Sequence, residues 1–188
     1  MKLIRIITIL FLSVSMVACS STSEAQTKVE EKTEKKEKKK EEVKEKTAEE
    51  ILKELQEKNE NVTDILVYDE ETDTNGLLGR PGEYTSKADF SDARIQEFYT
   101  TEEEKIEYGL SGGTIEVFKS KKHCDARADY LKSFMTSDTF VKLDQYMYKY
   151  DKVLFRVSYS IVPSEAEVYK KQMDEIIGQK GKAIEPEE

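Results

Sequence analysis

Residues 47–188 are predicted to form an α+β domain, an antiparallel sheet of about four or five strands packed against helices. Three observations predict it. Leu143–Tyr150 and Val153–Ile161 both alternate apolar with polar residues on either side of Asp151-Lys152, the pattern of a β-hairpin. Helical periodicity opens on capping signals at Thr47/Glu50 and Ser164/Glu167. The remaining strand-like runs come in groups with few crossover helices between them, which argues against a parallel sheet. Nothing recurs at a fixed period, so a repeat architecture is not expected.

The chain ahead of this domain divides in two. Residues 1–18 read MKLIRIITILFLSVSMVA. Lys2 and Arg5 precede an apolar run from Ile6 to Val17, shorter than the roughly 20 residues that cross a bilayer but matched to a secretory leader. Met16-Val17-Ala18-Cys19 follows at its end. This arrangement resembles the lipobox of bacterial lipoprotein precursors, with Met16 standing where Leu is commonest. The resemblance implies that the leader is removed, that the Cys19 thiol carries diacylglycerol, and that the protein sits on the cell membrane facing outside the cytoplasm. The other reading is an ordinary signal peptide cut near Ala18, with Cys19 incidental. Two acyl chains hold a protein stably on a bilayer, where one holds only marginally.

Residues 19–46 form a spacer whose apolar side chains after Ala25 are Val29 and Val43. Its EEKTEKKEKKKEEVKEK stretch has too little apolar surface to offset chain entropy. Glu and Lys at i,i+4 spacing support at most a solvated helix, each pair adding about 0.2–0.5 kcal/mol. Either state serves as a tether; a segment that binds wall polymer is the functional alternative.

Within the domain, Thr47 opens a helix with Ile51, Leu52 and Leu55 on one stripe, ended by Asn59 or Asn61. Asp64–Tyr68 is strand-like, and Tyr84–Phe90 alternates as a half-buried strand. Residues 91–112 have no clear period. Gly113–Phe118 reads as a strand, and Ser120 caps a helix reaching about Phe134 with Cys124, Ala128 and Leu131 on one face. In the hairpin, an even loop centred on Asp151-Lys152 sets Tyr150 opposite Val153, Tyr148 opposite Phe155 and Tyr146 opposite Val157. These six share the inward face, and Gln145, Met147, Lys149, Arg156 and Ser158 share a mostly polar outward one. A last amphipathic helix runs from Ser164 to Ile177, closed by Gly178. The helices are therefore expected on one face of the sheet.

Charge excludes some partners. The chain is 37% charged, with 39 acidic and 30 basic side chains, and the excess of acid lies after the spacer, about −12 from residue 47 onward. Phosphate backbones need a basic face, so no nucleic acid is expected. Anionic lipid is disfavoured for the same reason, which leaves Cys19 as the membrane contact. No phosphate-binding loop is present, and neither a nucleotide nor any other cofactor is expected.

The candidate site is the loop Asp69–Tyr84, DEETDTNGLLGRPGEY, with Asp69, Asp73, Asn75, Arg80 and Tyr84 as its candidate binding residues. Glu71-x-Asp73-x-Asn75-Gly76-x-Leu78 resembles the first part of a calcium-binding EF-hand loop. Glu71 replaces the leading Asp, and Gly82 replaces the bidentate Glu, so no metal site is assigned; an acidic, turn-rich loop is the preferred reading. Arg80 either pairs with a nearby acid or reaches for a carboxylate or phosphate. His123 and Cys124 are adjacent on a helix and do not face each other, so no catalytic dyad is expected and Cys124 reads as a small buried residue. An exposed tyrosine stripe would stack on sugars; the hairpin parity assigns it to the core.

Val62–Phe90, with Tyr68-Asp69-Glu70, Thr72-Asp73, Leu77-Leu78-Gly79-Arg80-Pro81 and Tyr84, resembles small predicted lipoproteins of Gram-positive bacteria. The resemblance implies a location and no activity. The expectation is a non-enzymatic binding module engaging a protein or envelope component. A lipoprotein of superinfection exclusion or immunity is one alternative. An envelope-acting enzyme with two carboxyl groups about 5–9 Å apart is another.

Overall fold

A computed structural model of the chain describes residues 45–135, 143 and 145–186. The leader, Cys19 and the spacer as far as residue 44 lie outside the described residues. The domain runs α1 (Ala48–Lys58), β1 (Val62–Val67), β2 (Tyr84–Asp92), α2 (Glu102–Tyr108), β3 (Gly113–Phe118), α3 (Lys121–Met135), β4 (Gln145–Lys149), β5 (Val153–Ser158), α4 (Pro163–Ile177) and β6 (Lys182–Ile184). The six strands form one antiparallel sheet in the order β1-β2-β3-β5-β4-β6. The α+β class is as expected. The sheet is larger by β6, whose three residues are too few to show a period.

Thr47 caps α1 through a complete capping box with Glu50, which satisfies orphan N–H groups at its first turn. α4 departs from the sequence reading. Its cap is Val162 with Pro163 at the first helical position and no side-chain cap, rather than Ser164 with Glu167. Pro there loses nothing, because its missing N–H belongs to the unbonded first turn. In the stretch without clear period, Thr101 and Glu104 form a capping box for α2, a helix with no buried residue and hence no apolar stripe to reveal it.

The hairpin register is the predicted one: Tyr148 lies opposite Phe155 and Tyr146 opposite Val157. The row continues as Ala88, Ile115, Phe155 and Tyr148 across four strands. Burying this face against α1 and α4 forms the main core, where Ile51, Leu52, Leu55, Tyr169 and Met173 meet Phe90, Phe155 and Tyr148. Gly113 sits in the next row because nothing larger fits: a Cβ there would lie 2.1 Å from the Arg156 carbonyl oxygen and 2.7 Å from the Phe90 ring.

The other face corrects the expectation of a one-sided sheet. α3 covers it, packing Cys124, Ala128, Leu131 and Met135 on Tyr84, Phe118, Met147 and Leu154. Met147 and Arg156, expected outward, are buried. So are Lys87, Asp89, Thr114 and Glu116 on the same face. Alternating polar residues read as a solvated face because free charges are costly to bury. Here they are mostly paired with one another, and the pairing permits burial.

Candidate functional site

The loop between β1 and β2 is knotted to this second face by Asp73. Its Oδ2 accepts hydrogen bonds from the backbone N–H groups of Leu77 and Leu78 at 2.9 and 3.0 Å and from the Tyr84 hydroxyl at 2.6 Å. Its Oδ1 accepts from Lys87 Nζ at 2.9 Å. Burial alone would raise the Asp73 pKa, but the Tyr84 and Lys87 side chains and the two backbone donors outweigh it and lower it from 3.8 to about 2. The buried Lys87 ammonium occupies the place beside Asp73 that a cation would need, so the loop follows its turn-rich reading rather than the EF-hand one. Gly79 makes that path possible, with φ at +76°, where a Cβ would meet Glu70 Oε1 at 2.6 Å.

The other candidate residues take different places. Tyr84 is fully buried, its ring edge-on to Phe118, and it acts as a post for Asp73. Asn75 joins this knot by donating from Nδ2 to the Tyr84 oxygen at 3.3 Å. Asp69 is apart and exposed; its Oδ1 accepts from the N–H groups of Glu71 and Thr72 and from the Thr72 hydroxyl, an Asx turn that also lowers its pKa. Arg80 is exposed and makes no ion pair among the described residues.

Beside the knot lies a charged cluster that the sequence reading missed. Lys87 stands over the Tyr68 ring, 3.9 Å from its centre, and the Tyr68 hydroxyl donates to Asp89 Oδ2 at 2.7 Å. Glu116, fully buried, accepts from Arg127 Nε and Nη2 at 3.1 and 2.9 Å and from Arg156 Nη2 at 3.4 Å. Burial raises the Asp89 pKa, with Lys87 opposing. Asp89 Oδ1 and Arg156 Nε are buried without a partner among the described residues. The signal was present but opposite in sense: Lys87, Asp89, Glu116 and Arg156 all fall on one parity of β2, β3 and β5.

The loop and α3 together wall a cavity of about 640 Å³, lined by Asn75, Leu77 and Glu83 from the loop side and by His123, Arg127 and Tyr130 from α3. Leu131, Phe134 and Leu143 complete its apolar wall. The Arg127 guanidinium carbon lies 5.7 Å from the centres of both the Tyr84 and Tyr130 rings. His123 Nδ1 is buried without a hydrogen-bond partner among the described residues. Cys124, next to it, turns away into the core with Sγ 3.8 Å from the Tyr150 carbonyl oxygen, and burial pushes its pKa up to about 12. It is the small buried residue expected, and as a thiol rather than a thiolate it is a poor nucleophile.

Among the described residues, no three His, Cys, Asp or Glu side chains are placed to hold a metal ion, and no helix is long and apolar enough to cross a membrane. The chain matches no known protein-family model, no curated protein and no solved structure.

Proposed function

We propose that this chain is a lipoprotein anchored by Cys19 outside the cytoplasmic face of a membrane, and that its domain is a binding module. The leader, the Met16–Cys19 sequence and the charged spacer support the anchor. The binding role rests on one observation, the cavity between the Asp73-knotted loop and α3. Apolar walls with a few convergent polar groups are the usual make-up of a ligand site. The charged cluster beneath it fixes the loop, so the site is formed before a ligand arrives and less ordering entropy is lost on binding.

Two measurements test the two halves. Cys19→Ser is expected to move the protein from the membrane fraction to the soluble one; unchanged membrane retention would refute the anchor. Ala126 is exposed and lines the cavity, so Ala126→Trp fills it without touching the core. Native mass spectrometry of the chain purified from its own envelope is expected to show a bound adduct that Ala126→Trp removes. An adduct unchanged by that substitution, or no adduct at all, would count against the cavity as the site.

A further inference from the structure

We infer that β1 is a self-association edge: two copies of the chain pair antiparallel through Ile65–Val67, about a two-fold axis at Leu66, and join their sheets into one. The two ends of the sheet differ. β6 closes one end with three residues, Lys182 among them and Pro186 just beyond. Short edges carrying Lys and Pro are how natural sheets avoid edge-to-edge contact. β1 closes the other end with six residues, neither Lys nor Pro among them. Its only charged side chain, Asp64, has Lys105 Nζ 4.0 Å away. Ile65 and Leu66 are half-buried and Val67 is 43% exposed. No strand covers this edge among the described residues.

The ladder then selects the partner and the register. Tyr68 N–H donates to the Lys87 carbonyl at 3.2 Å, and residues of an antiparallel pair alternate between bonding the neighbour and pointing away from it. Tyr68 and Leu66 therefore bond β2, while Ile65 and Val67 turn N–H and C=O outward. Setting Ile65 opposite Val67 of a second copy, and Val67 opposite its Ile65, pairs every one of these outward groups. The other two-fold registers fail. Ile65 opposite itself draws on Thr63, whose carbonyl already accepts from Gln56 Nε2 at 2.8 Å. Val67 opposite itself draws on the Asp69 N–H, which is donated to the Thr72 hydroxyl at 2.9 Å. In the surviving register Leu66 meets Leu66 and Ile65 sits beside Val67, apolar against apolar. Asp64 falls opposite Tyr68 and Asp69 opposite Thr63, so no acid faces an acid, a condition that matters in a chain with 39 acidic and 30 basic side chains. The edge is complementary to itself, and the pairing does not depend on the cavity beside α3.

A contact this short belongs to the transient class of interface, so the test traps it covalently in the purified full chain under mild oxidation. Across the axis the two Leu66 Cα atoms are about 4.5 Å apart, within the roughly 4.4–6.8 Å that a disulfide spans. The two Asp64 residues are out of step by roughly 13 Å. Leu66→Cys is expected to give a covalent dimer on a non-reducing gel, and Asp64→Cys is not; linkage is counted over that of the unsubstituted chain, whose Cys124 is buried. Adding Val67→Lys to Leu66→Cys is expected to reduce the dimer to the Asp64→Cys level. If circular dichroism shows Leu66→Cys unfolded, a mixture of Ile65→Cys and Val67→Cys chains is oxidised instead, and the mixed dimer is expected to exceed either like dimer. Equal linkage at positions 64 and 66, no linkage at 66 in a folded chain, linkage unchanged by Val67→Lys, or no excess of the mixed dimer would each overturn the pairing.

Discussion

Asp73→Ala is expected to destabilise the domain by about 3–5 kcal/mol, the range for breaking a buried ion pair and leaving one charge uncompensated. Asp73 and Lys87 side chains are 0% and 6% exposed, so water cannot screen the orphaned ammonium. The same substitution strips acceptors from the Leu77 and Leu78 N–H groups and the Tyr84 hydroxyl. Urea unfolding followed by circular dichroism measures the loss, since the chain lacks Trp. Adding Lys87→Met to Asp73→Ala is expected to recover part of the stability; no recovery would show that the backbone donors, rather than the charge, dominate. A pH consequence follows. Because folding lowers the Asp73 pKa from 3.8 to about 2, its contribution is full above the unfolded value and is lost as pH falls through the folded one. The wild-type chain is expected to lose stability between about pH 4 and pH 2, and Asp73→Ala to show a shallower fall over that window.

Glu116→Ala is expected to cost a similar 3–5 kcal/mol, because it abandons two buried guanidinium groups at once. Their side chains are 9% and 10% exposed, and Glu116 is 0%. Against a domain stability that is ordinarily about 5–15 kcal/mol, either variant approaches the folding limit. The informative comparison replaces all three charges: Glu116→Leu with Arg127→Met and Arg156→Met. Buried ionic triads exchanged for apolar residues of like volume are often neutral or stabilising. A triple variant more stable than Glu116→Ala, yet with a weakened cavity adduct, would assign the triad to shaping the site rather than to holding the fold. A triple variant as unstable as the single one would mean that packing, not charge, sets the cost.

The sheet face under α1 and α4 was legible because Tyr148, Tyr150, Phe155 and Val157 alternate with polar neighbours, and period-2 alternation with a short turn fixes register. The opposite face was not. Lys87, Asp89, Glu116 and Arg156 look, one at a time, like solvent-facing positions of half-buried strands; they are buried because Glu116 meets Arg156 and Arg127, Lys87 meets Asp73 and Asp89 meets Tyr68, and such partners are invisible until the fold is known. α2 and β6 escaped because seven and three residues carry too little periodicity. The loop was recognised for its acids and glycines, but Asp73 and Tyr84 turned out to face inward and hold the loop in place. The α3 side of the cavity, with His123 and Arg127 one turn apart, could not be joined to residue 83 by any local pattern.

The first described residues are also fastened. Lys46 Nζ bonds Glu54 at 2.7 Å and the carbonyl of Ile176, at the end of α4, at 3.1 Å, and Ala48 N–H donates to Ser86 Oγ at 3.0 Å. Any pull arriving along the chain from before Glu45 thus meets these bonds and the packing of α1 before it loads a single strand pair. Under tension the helix would peel away first, uncovering the β1–β3 side of this face while the six-stranded ladder stayed closed. The element that such a pull would load first is thus the first helix, on the sheet face opposite the loop cavity.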